Sequence, residues 1–270
     1  MGDSRVNSKS YLGKILVAIS FCCIILANSI FFVIPIKGRR LAEIAYHYPS
    51  YLTPSKYTFF IWILIYVLLA AFVLYQFLAD KDSFGSHTSM LLIRICVISY
   101  SILNFIWLLS WIFNYLALST LIILVVAIFL GCICKNLRAS DLSDKDKLFI
   151  RLPFSVLYGW IAFSAIINLA ILLYGVYWRG FETGPAIWLI LIYAVFAVFA
   201  LIQTFLNRDI AYCLTIIWSY FGLLSKHIGD GEMVSHNPYY IPVLIFCIII
   251  LSFAAVYLAL FDKVIHRHWY

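Results

Sequence analysis

Residues 57–79 read YTFFIWILIYVLLAAFVLYQFLA, 23 side chains without a single charge. A helix rising about 1.5 Å per residue needs roughly 20 apolar residues to cross a hydrocarbon layer about 30 Å thick, so this stretch can span a bilayer by itself. Seven further stretches, at about 14–36, 90–112, 115–134, 152–175, 185–206, 209–226 and 239–261, have the same character. Backbone amides in lipid need internal partners. The runs are apolar throughout rather than alternating with period two, which favours helices over a barrel. The whole chain agrees: 65% of its residues are hydrophobic and 11% charged, far less charge than a soluble domain of 270 residues would display. The expected fold is therefore all-α, a polytopic membrane helical bundle of about eight transmembrane helices.

Between the runs the links differ in kind. The loop at 37–56 holds Tyr46, His47, Tyr48, Pro49, Tyr51 and Pro54, which fits either an interfacial aromatic belt or a cover over a pocket between helices. Residues 135–151, KNLRASDLSDKDKLFIR, are the most hydrophilic stretch and read as a solvated connection. By contrast, the link at Asn114 and Tyr115 is so short that the third and fourth runs must form a tight antiparallel hairpin. A second tight turn falls at Asn207, Arg208 and Asp209, where Asp209 is suited to cap the seventh helix.

Charge suggests an orientation. With eight helices, the amino-terminal tail, the even-numbered loops and the carboxyl-terminal tail share one side, which carries Arg5, Lys9, Lys14, Lys81, Lys135, Arg138, Lys145, Lys147, Arg151, Arg208, Lys263 and Arg267. The other side has Lys37, Arg39, Arg40, Lys56, Arg179 and Lys226, and Arg94 lies inside the third run. The positive-inside rule then places both termini in the cytoplasm, with Lys37, Arg39 and Arg40 as exceptions. The first run is too long for a signal h-region and is read as a retained helix, and Val6 breaks the myristoylation pattern. The net charge of +7 is spread over short loops, which suits membrane lipids as partners and not nucleic acid. Cysteines 22, 23, 96, 132, 134, 213 and 247 all fall within apolar runs and read as small buried apolar fillers.

Polar groups inside a membrane point to function because an unsatisfied one is costly there. The candidates are Asn28, Arg94, Asn104, Asn168 and Gln203, with Arg94 close enough to the end of its run to snorkel to the interface. No Asp or Glu lies in the centre of a run, so a proton relay or cation-coupled carboxylate site lacks its usual residue. All six histidines are expected in loops or the tail, and no metal site is read from them; His266 and His268 lie on the tail. Ordinary acid–base or metal catalysis is therefore disfavoured, and no catalytic residue is assigned. Aromatic residues make up 18% of the chain, and Trp62, Trp107, Trp160 and Trp218 fall well inside runs, away from the interfacial belt. Deep indoles beside amides can either wall a site for a flat apolar ligand or simply pack helices.

Three segments carry a resemblance: LTPSKYTFFIWILIYVLLAAFVLYQ, LNFIWLLSWIF and RLPFSVLYGWIAFSAIINL. Together they resemble the TspO/MBR family of tryptophan-rich sensory and translocator proteins, specifically its longer, eight-helix relatives. Pro54, Trp62 and Tyr66 match the proline-containing entry and Trp-x-x-x-Tyr of the family's second helix. Asn104 and Trp107 match the Asn-x-x-Trp of its third, and Pro153, Trp160 and Asn168 match its fifth, where Phe154 stands for the family's tyrosine. Phe60 and Ile61 replace the Gly-Pro before the second-helix tryptophan, Leu108 and Leu109 replace prolines, and Ser164 stands where alanine is usual. The resemblance implies a five-helix bundle over 14–175, followed by a three-helix extension over 176–261, with tails at 1–13 and 262–270. RDIAYCLTIIW, 208–218, is similar to the extension of the longer relatives.

What the resemblance implies about function is a pocket for porphyrins, sterols or other flat hydrophobic molecules. It would be lined by Trp62, Tyr66, Asn104, Trp107, Trp160, Ser164 and Asn168. Leu173, Tyr177 and Arg179 also fit a loose cholesterol-recognition pattern. The expected function is binding of such a ligand for sensing or transport. No cofactor is obligatory, and a porphyrin or lipid is the molecule expected to be bound. The alternatives are an eight-helix transporter of small molecules or lipids, and a structural membrane subunit whose last three helices dock a second copy or another membrane protein.

Overall fold

The computed structural model describes residues 2–35, 53–78, 87–140, 142–176, 185–229 and 239–265. Among them there is no strand, and eight long helices carry the chain: α1 Gly2–Val33, α2 Ile61–Leu78, α3 His87–Ile112, α4 Leu116–Ala139, α5 Leu152–Gly175, α6 Pro185–Asn207, α7 Ile210–Gly229 and α8 Tyr240–Ile265. All but α7 are long and apolar enough to cross a membrane by length and composition. α7 differs because it carries the buried Tyr212, Thr215, Ser219, Tyr220 and His227 and, in its last turns, Ser225 and Lys226, which are not buried. A polar residue tolerated on a protein-facing side lowers the helix's overall hydropathy without exposing anything polar to lipid.

The helices divide into two compact units, one of residues 1–47 and 62–154 and the other of residues 48–61 and 155–270. In the first unit α1 lies against α3, with Phe31 edge-on to Phe105 at 6.2 Å. The α3–α4 hairpin turns through Asn114, whose φ of 62° is left-handed and suits asparagine. Tyr115 N–H closes the turn onto the Ser110 carbonyl at 2.8 Å. The hydrophilic link after α4 is more ordered than a solvated connection needs to be. Ser143 and Asp146 form a reciprocal capping box around a single turn, Asp144–Asp146, which runs through a π-helical turn, Lys147–Arg151, into α5. Asp146 is buried and accepts the Tyr75 hydroxyl of α2 at 2.9 Å, while the Tyr75 ring stacks on Phe149 at 4.9 Å.

In the second unit α5 and α7 come close at Gly159, where a Cβ would lie 2.8 Å from Thr215 Cβ and 3.1 Å from the Tyr212 carbonyl oxygen. Beside this contact Tyr158 and Tyr212 stack at 4.8 Å. The α6–α7 turn passes through Arg208 at φ 45°. Asp209 then caps α7 by accepting the Tyr212 N–H at 3.0 Å, and its other oxygen accepts the Ser155 hydroxyl. Against α7 and α6 lies α8, with the Cys213 thiol on the Leu251 carbonyl and Phe205 edge-on to Tyr257.

Candidate ligand-binding residues

Four of the seven candidates, Trp62, Tyr66, Asn104 and Trp107, belong to the first unit; Trp160, Ser164 and Asn168 belong to the second. Within α2, spacing four apart puts Trp62 and Tyr66 on one face, and their rings stack at 5.5 Å with 25° between planes. Asn104 on α3 is buried and accepts the Asn28 amide N–H at 2.9 Å, while the same Asn28 nitrogen reaches the Ile24 carbonyl of its own helix. This is an interhelical amide bond of the kind expected from lone asparagines in apolar runs. One turn on, Trp107 stacks with Trp111 at 5.9 Å.

The second set runs along one face of α5. The Ser164 hydroxyl donates to the Trp160 carbonyl at 2.8 Å, and the Asn168 amide donates to the Ser164 carbonyl at 2.9 Å. Both side chains thus satisfy part of their polar capacity on their own helix, as hydroxyl and amide groups do four residues back. Trp160 is fully buried and held edge-on by Phe59 at 5.7 Å and tilted against Phe163, also at 5.7 Å. Of the sterol pattern, Leu173 is half-buried, whereas Tyr177 and Arg179 lie outside the described residues. So do Tyr46, His47, Tyr48, Pro49, Tyr51, His266 and His268.

Three sequence expectations do not hold. Of the cysteines, Cys96, Cys134, Cys213 and Cys247 are buried, but Cys22, Cys23 and Cys132 are exposed on the surface of the protein. Arg94 does not snorkel outward: it is buried, and its Nε donates to Gln76 Oε1 at 3.1 Å. Gly13 on α1 makes this feasible, since a Cβ there would crowd the Arg94 Cδ at 3.2 Å. Nor do all histidines fall in loops. His87 begins α3, and His227 sits in the last turn of α7, fully buried, with Nε2 and the Tyr193 hydroxyl hydrogen-bonded at 2.9 Å and Tyr240 against its ring at 5.2 Å. Gln76 and the Tyr193–His227 pair were absent from the sequence candidates. Gln76 could have been found as a lone amide in an apolar run. His227 could not, because it follows Lys226 at what looks like a helix end.

Seven helices long and apolar enough to cross a membrane, with tryptophans and amides set inside them, define an integral, multi-pass membrane protein. The chain belongs to the family described as TSPO-like protein, whose model matches residues 14–258. The matched range runs from α1 into α8, so the last three helices lie within the family's own extent. No curated protein and no solved structure matches the chain.

Proposed function

We propose that this protein binds a flat hydrophobic molecule, a porphyrin, sterol or lipid, for sensing or transport, with Trp160, Ser164 and Asn168 as the candidate contacts in the second unit and Trp62, Tyr66, Asn104 and Trp107 those in the first. The observation that carries the reading is Trp160, a fully buried indole on α5 with aromatic rings on two sides and two polar residues, Ser164 and Asn168, following it on the same helical face. Indole offers a broad face to a planar ligand, and amides nearby can meet its polar rim. Family membership supports the same reading.

Quenching of intrinsic fluorescence by protoporphyrin IX in detergent measures it. Trp160→Ala is expected to weaken binding about tenfold or more, as truncation of a buried aromatic anchor does. Trp62→Ala, at a half-buried position on α2, serves as the second variant. Unchanged affinity in both would remove these residues from the site. Flux of porphyrin into proteoliposomes then separates a carrier from a static binder.

A further inference from the structure

The segment Thr53–Phe60, just ahead of α2, is fastened to α7. Ser55 donates twice to the Gly222 carbonyl, from its N–H at 3.1 Å and its hydroxyl at 2.8 Å. Trp218 Nε1 donates to the Thr58 carbonyl at 3.0 Å, and the Tyr57 hydroxyl donates to the Phe221 carbonyl at 3.2 Å. The Tyr57 ring also stands edge-on to Trp218 at 5.6 Å. Thr58 is fully buried, and the position opposite has to be glycine: a Cβ on Gly222 would lie 2.1 Å from Thr58 Oγ1, 2.6 Å from its Cγ2 and 2.9 Å from its Cβ. The seat therefore combines a close steric fit at Gly222 with four hydrogen bonds.

Lys56–Phe60 is a single 3-10 turn, so holding Thr58 at both its carbonyl and its side chain also fixes the direction of its neighbour Phe59. Phe59 is the ring that stands edge-on to Trp160. We propose that α7, through Gly222 and Trp218, positions Phe59 against Trp160, giving the last three helices a part in ligand recognition although none of the seven candidate contacts lies on them. Gly222 and Trp218 are positioning residues. This rests on the reading of Trp160 as a ligand contact.

The test uses the full chain in detergent, with amide hydrogen exchange across residues 53–60 and protoporphyrin IX affinity read on the same samples. Gly222→Ala, a change that by itself favours helix, pushes a methyl into Thr58. Exchange at the Ser55 and Thr58 amides is expected to quicken about tenfold or more, because both donate to carbonyls within this seat. Affinity is expected to fall about fivefold, a coupling of ordinary size for residues in one contact network. Gly222→Ala with Thr58→Gly removes the obstructing atoms and should return both readings toward those of Thr58→Gly alone. Unchanged exchange in Gly222→Ala overturns the seat; quickened exchange with unchanged affinity overturns the positioning role. A Trp160→Ala variant that binds normally strikes the ligand reading instead, and leaves the exchange result to judge the seat.

Discussion

The two units join their helices by chemistry that differs in part, the second adding ties from side chains to backbone carbonyls. In the first, the ties are between long polar side chains on separate helices: Asn28 with Asn104, Arg94 with Gln76, Tyr75 with Asp146. In the second, beside the side-chain pairs Tyr193 with His227 and Ser155 with Asp209, several side chains reach backbone carbonyls: Ser55 to Gly222, Trp218 to Thr58, Tyr57 to Phe221, Tyr220 to Tyr193 at 2.6 Å. A side-chain pair can be deleted as a pair. A carbonyl cannot be mutated, so each of these carbonyl ties depends on one donor and on how near the backbones come. The second unit accordingly has two glycines, Gly159 and Gly222, at positions where a Cβ would collide.

The largest effect that bears on this difference is expected at Gly159. Gly159→Val drives a branched side chain into Thr215 and the Tyr212 carbonyl, and overpacking against backbone should cost about 3 kcal/mol. Thermal unfolding in detergent, followed by circular dichroism, measures it; a variant as stable as the parent would show that α5 and α7 separate easily and would break the comparison. A smaller effect is expected in the first unit. Asn28→Leu takes the partner from the buried Asn104 amide and Asn104→Leu takes it from the half-buried Asn28 amide, each at about 1 kcal/mol, whereas the double variant should cost less than the two together. Strict additivity would mean that the amides do not cooperate. The smallest belongs to Tyr57→Phe, which removes one exposed hydroxyl bond and should cost about 0.5 kcal/mol, sharpening the view that the seat depends mainly on Gly222.

The same difference decides what the sequence revealed. Apolar run length identified the helices, and local chemistry identified the Asn114 hairpin and the Asp209 cap, because each signal lies within a few residues of its effect. A lone asparagine in an apolar run announces itself, so Asn28 and Asn104 were legible as partners in kind. Gly222 was not, because its meaning depends on Thr58, 164 positions earlier, and glycine carries no side chain to betray the neighbour it admits. Arg94 misled for a related reason: its distance from the helix end suggested an outward reach, while Gly13 and Gln76, on other helices, provide the room and the acceptor. The seven candidate contacts were named from spacing and resemblance, and it is the partners of Trp160 and Asn104, not the residues themselves, that only coordinates could supply.

The turns at Asn114 and Arg208 also bear on how the chain is made. Each joins two helices through two or three residues held by backbone bonds, Asn114 N–H to Trp111 and Tyr115 N–H to Ser110 in one, Arg208 N–H to Phe205 and Asp209 N–H to Thr204 in the other. So short a connection gives neither helix room to settle in the bilayer while the other waits in water. α3 with α4, and α6 with α7, are therefore expected to enter as hairpins. For the experimenter, a tag or cleavage site placed at either turn breaks those bonds.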